Sequence, residues 1–163
     1  MPAPASDRAR TALRIALWLA LGGWIGALLL CGGVVVPAAF GSGIDPAAAG
    51  NLVGRVLGRL HVAGIVLGLT LAALGGALGR GRFAAGLAIA LAACSAVNHF
   101  VVSPAVAAID LTDPAAGAAG AGARFASLHR LSVALFLSVA VGTLGLAALH
   151  AAQELREDRP GRP

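Results

Sequence analysis

The chain has 163 residues, of which 58% are hydrophobic and 12% charged. A soluble domain carries roughly 45–50% apolar and about 25% charged residues, so with a mean hydropathy of +0.87 a water-soluble globule, a fibrous chain and a disordered chain are all excluded. The net charge is +5, but the aromatic share is 4% with no tyrosine; stacking platforms for nucleic acid need aromatics, so no nucleic-acid partner is expected and the lipid bilayer is.

Four apolar stretches are long enough to span a bilayer, at about residues 15–40, 60–79, 83–109 and 129–150, against a requirement of about 20 residues. They define an all-α integral membrane four-helix bundle over 15–151, with a cytoplasmic N-terminal segment 1–14 and a charged cytoplasmic tail 152–163. The first stretch is too long for the apolar region of a signal peptide, about 7–15 residues, and reads as a retained span. Pro37 should stop or bend it, before a Gly41-Ser42-Gly43 loop.

Asp45 and Pro46 form a helix-start signal. Beyond it Asn51, Arg55 and Arg59 recur every fourth residue, extending the second helix by an interfacial segment. Gly79-Arg80-Gly81-Arg82 is a tight hairpin, and 110–123 is a longer Ala/Gly-rich loop expected to be mobile. Eight of the twelve arginines lie at the amino end, the second turn and the tail. The positive-inside rule therefore puts both termini in the cytoplasm of a multi-pass cell-membrane protein.

Helices in lipid associate through small residues. On the second helix Gly50, Gly54, Gly58, Gly64, Gly68, Gly75 and Gly79 share one arc, with His61 at its middle. Similar inward faces are expected on the first helix (Gly22, Gly26, Gly33), on the third (Ala85, Ala88, Ala92, Ser95, His99) and on the fourth (Ser127, Ala134, Ser138, Gly142, Gly145). Leu, Val, Phe and Trp would then face lipid. Gly54, Gly58, Gly64 and Gly68 are the helix-packing candidates.

The remaining polar residues collect near the outer ends. Arg59, His61, Asn98, His99, His129 and Arg130 form a candidate outer-layer cluster, with Cys31 slightly deeper and His150 at the opposite end. Intramembrane ionisable groups are costly and mark sites by default. Two inward histidines near a thiol suit copper or zinc, although no metal-ligand spacing motif supports this. In the plainer alternative the arginines snorkel while the histidines bond to carbonyls or to each other. Enzyme activity is not expected, because no span holds an acid or a nucleophile–base pattern. No cofactor is expected either: haem b needs deep axial histidines, and the first helix has none.

Residues 17–40, with Gly22-Gly23 and Val36-Pro37-Ala38-Ala39-Phe40, resemble the first helix of the transmembrane protein 205-like family. Residues 49–60, then Asn98, Pro104, Arg124-Phe125 and Leu128-His129-Arg130-Leu131-Ser132, are similar to later elements of that family in matching order. The resemblance covers about 15–150. It implies a four-helix membrane protein, catalogued in bacteria as a domain of unknown function, and there is a distant likeness to the copper-resistance D membrane domain. The expected function is binding or passing a small solute or metal ion at the outer layer. The alternative is an accessory or homo-oligomeric subunit that docks a partner membrane protein through its glycine faces.

Overall fold

The computed structural model describes residues 5–109 and 120–157. Four long helices cover Ser6–Gly41, Pro46–Ala77, Gly81–Ala107 and Ala121–Glu157, each long and apolar enough to cross a membrane. They run up and down, so the start of the first helix, the end of the last at Glu157 and the Gly79–Gly81 hairpin share one end of the bundle. The 41–46 connection lies at the other. All regular elements among the described residues are helical.

Local chemistry sets the helix ends. The Asp45 carboxylate accepts the Ala48 N–H at 3.0 Å, and Pro46 follows at the first helical position, where its missing N–H costs nothing. The second helix then runs unbroken from Pro46 to Ala77. Gly79 and Gly81 both have positive φ, 69° and 83°, which an L side chain adopts only at a cost. This lets the chain reverse around a single residue, Arg80. Of the loop expected over 110–123, residues 110–119 lie outside the described residues; 121–123 belong to the last helix.

Pro37 does not end the first helix. The helix continues to Gly41 through a π-helical turn at Cys31–Val35, in which the Val36 N–H bonds to the Cys31 carbonyl. The third helix repeats the device: Asn98–Val102 is π-helical, the Ser103 N–H bonds to the Asn98 carbonyl, and Pro104 follows. A proline ring clashes with the carbonyl four residues earlier. One widened turn just before it relieves the clash without a break.

Buried positions recur at alternating steps of three and four. The series are Leu17, Leu21, Trp24, Leu28 and Cys31 on the first helix, and His61, Gly64, Gly68, Leu71 and Gly75 on the second. On the fourth they are Val139, Thr143, Leu146 and His150. This is the seam spacing of helices packed knobs into holes. The second and third helices approach closest. A Cβ on Gly68 would lie 2.8 Å from Ala92 Cβ and 2.9 Å from the Ala88 carbonyl oxygen, and one on Gly64 would lie 2.6 Å from Ser95 Oγ.

The tightest small-residue contacts lie at that interface and at Gly142, which sits against Leu91, while Gly32 against Phe136 and Gly75 against His150 make ordinary contacts at 3.5 Å. Gly22, Gly26 and Gly33 have nothing within 4 Å, and Ser127, Ala134 and Ser138 are exposed. The inward faces expected on the first and fourth helices are therefore corrected. Their large residues, Leu17, Leu21, Trp24, Leu28 and Leu146, point inward instead. Once one helix pair meets backbone to backbone, wider gaps are left to the other two, and close packing fills them with bulk.

Candidate functional site

At the end away from the Gly79–Gly81 hairpin, the second and third helices bring His61 and His99 together. The ring centroids are 6.4 Å apart with the planes at 74°. His61 is 5% exposed, and neither ring nitrogen has a hydrogen-bond partner among the described residues. A buried polar group without a partner costs about 1–3 kcal/mol, so such a group in a native fold calls for an explanation. His99 is half-buried and lies within the π turn of the third helix, edge-on to Phe100 at 4.7 Å. Cys31 lies in the π turn of the first helix and is buried.

Asn98, 1% exposed, has a different task. Its Nδ2 donates to the Ser132 carbonyl at 3.1 Å, and the Ser132 hydroxyl donates back to Asn98 Oδ1 at 2.9 Å. This reciprocal pair ties the third helix to the fourth. The other cluster candidates do not converge on His61. Arg59, His129 and Arg130 are exposed, and His129 stacks on Phe125, one turn earlier, at 5.9 Å. Gly64 and Gly68 lie in the interface beneath His61, whereas a Cβ at Gly54 or Gly58 would meet nothing within 4 Å. These two lie on the part of the second helix that extends past its closest approach to the third.

The opposite end holds a denser polar cluster that the sequence reading missed. The Arg80 side chain is 1% exposed; it donates to Glu154 at 2.8 Å and to Glu157 at 3.2 Å. Trp18 Nε1 donates to both Glu154 oxygens at 3.1 Å, Gln153 donates to the Arg80 carbonyl at 2.8 Å, and Arg14 pairs with Glu157. A signal was present. The three–four spacing through Val139, Thr143, Leu146 and His150 continues to Gln153 and Glu157, so residues 153–157, read as part of a tail, are the last part of the seam.

The fold and its two polar ends define an integral membrane protein of the four-helix class. Residues 19–115 match the model of the domain of unknown function DUF4149, and the chain belongs to that family. No curated protein and no solved structure matches it.

Proposed function

We propose that this membrane protein binds or passes a small solute or metal ion at the His61–His99 pair. The observation that supports the reading is His61 itself, buried with both ring nitrogens unpartnered among the described residues and facing a second imidazole at 6.4 Å. Two rings bonded to one ion at about 2.0–2.1 Å have centres about 5–6 Å apart, so a small approach suffices. Among the described residues no group of three or more His, Cys, Asp or Glu forms. The remaining coordination positions would stay open to the solute, and two imidazoles suit copper or zinc. The protein does no covalent chemistry in this reading. Its finer likeness, to the transmembrane protein 205-like family and the copper-resistance D domain, belongs to the same proposal.

The positive-inside distribution of arginine supports placing both termini in the cytoplasm and the histidine pair near the outer face of the cell membrane. A C-terminal fusion to a reporter active only in the cytoplasm should be active. For the site, detergent-purified protein loaded with copper(I) or zinc(II) should retain metal by elemental analysis, and the His61→Ala/His99→Ala variant should lose it. Equal retention by both proteins would overturn the reading, as would a deletion strain with wild-type tolerance to both metals.

A second reading is supported by the outward glycines. Gly22, Gly26 and Gly33 carry no contact on the first helix, and Gly-x-x-x-Gly spacing is a helix-dimerisation pattern. It predicts an accessory or homo-oligomeric subunit, which Gly22→Leu/Gly26→Leu should convert to monomer in mild detergent.

A further inference from the structure

We propose that the arginine cluster at the end of the bundle carrying the Gly79–Gly81 hairpin is a binding site for a phosphate-bearing anion, held at present by a carboxylate of the chain itself. Three guanidiniums converge on Glu157: Arg14 pairs with one oxygen, and Arg80 at 3.2 Å and Arg10 at 3.6 Å approach the other. A guanidinium carries five N–H donors in a planar fork matched to carboxylate or phosphate, so two carboxylate oxygens leave most of these donors unused. The buried Nε atoms of Arg14 and Arg80 both lack a partner among the described residues. A phosphate group offers more acceptor oxygens and a fuller charge, and takes charge-assisted, often bidentate hydrogen bonds from arginine.

The two glutamates differ in a way that makes one replaceable. Glu154 is held by Trp18 and Arg80 together, inside the bundle wall. Glu157 sits at the rim, at the end of the last helix, and lines an open cavity of about 400 Å³ with Asp7, Arg10, Thr11 and Arg14. A second hollow shares Asp7 and Thr11 and runs along Arg8 and Ala12 to Ile15, where the exposed apolar surface of the first helix begins with Ile15 and Leu19. Headgroup cavity and apolar track are therefore contiguous, which fits a phospholipid phosphate whose acyl chain lies along the first helix. Basic pockets at helix ends are where anionic headgroups are bound. The two hollows are lined by three guanidiniums (Arg8, Arg10, Arg14) and two carboxylates (Asp7, Glu157), with the Arg80–Glu154 pair behind Glu157; with Glu157 rotated out, one lining carboxylate remains.

The test uses the full chain in neutral detergent with phosphatidylglycerol, phosphatidylcholine or inorganic phosphate, read by native mass spectrometry and by thermal shift. Phosphatidylglycerol should bind about tenfold more tightly than phosphatidylcholine, a difference of about 1.4 kcal/mol, because its headgroup carries a net negative charge and basic pockets between membrane helices favour anionic headgroups. Arg10→Ala/Arg14→Ala should abolish that preference, and Glu157→Gln, which removes the resident competitor, should increase it. Arg55→Ala/Arg59→Ala, at the other end, should leave it unchanged. Competition by millimolar inorganic phosphate would identify the phosphate group alone as the ligand, and its absence would identify the lipid. Equal retention of the two lipids overturns the proposal. So does a Glu157→Gln variant that binds phosphatidylglycerol more weakly than the wild type, a result that stays readable even if the double arginine variant fails to fold.

Discussion

Arg80 and Glu154 meet at 2.8 Å, and this contact joins the hairpin between the second and third helices to the last turns of the fourth. Arg80 is held there by backbone as well as by charge. Its N–H bonds to the Gly75 carbonyl at 2.8 Å, and its carbonyl accepts from Gln153. Removing one partner of a buried ion pair costs about 3–5 kcal/mol, because the other charge is left uncompensated. Arg80→Ala should therefore lower the thermal midpoint in detergent the most. Glu154→Gln, which keeps an acceptor for Trp18, should cost less than Glu154→Ala. A midpoint unchanged in Arg80→Ala would mean that the pair does not hold the bundle.

Gly79 and Gly81 should tolerate no side chain. With φ of 69° and 83°, alanine at either position is disfavoured by roughly 1–2 kcal/mol. Neither glycine has a neighbour within 4 Å, so the loss comes from backbone conformation alone. Thermal unfolding of Gly79→Ala and Gly81→Ala, with Gly76→Ala as a helical control, separates conformation from crowding.

The glycines of the second helix should divide into two groups. Gly68→Ala places a methyl against the Ala88 backbone, where overpacking costs about 1–3 kcal/mol. Gly54→Ala and Gly58→Ala meet open space and should be neutral, or stabilising by up to about 1 kcal/mol through helix propensity. Destabilisation by all three substitutions alike would contradict the packing described.

Asn98 and Ser132 should behave as one unit. Interhelical hydrogen bonds in membranes average about 0.6 kcal/mol and reach about 1.7 kcal/mol. Asn98→Ala adds a cost for the space it leaves in the seam. In a double-mutant cycle with Ser132→Ala, the two losses should fall short of additive. Strict additivity of midpoint shifts would show that the pair is not coupled.

Four spans, the Asp45 cap, the tight turn at Arg80 and the facing of His61 and His99 were legible in the chain, because each depends on local composition or on helical phase. Two choices were not. The phase of the first helix was read from its glycines, Gly22, Gly26 and Gly33, although the Leu17–Leu21–Trp24–Leu28 series recurs at helical spacing as well. The close contact at Gly68 settled it by leaving space that only large side chains fill. The role of Glu154 and Glu157 was missed because a charged segment after an apolar run reads as solvated; the seam spacing reaches Glu157, but the partners Arg14, Trp18 and Arg80 come from other helices. The excess of apolar residues determined by itself that the protein lives in a membrane, since hydrophobicity acts along the chain without regard to partners. Which face of each helix turns inward, and which few polar groups meet, was decided by the fit of neighbouring helices, because in lipid it is packing and hydrogen bonding rather than hydrophobicity that distinguish one face from another.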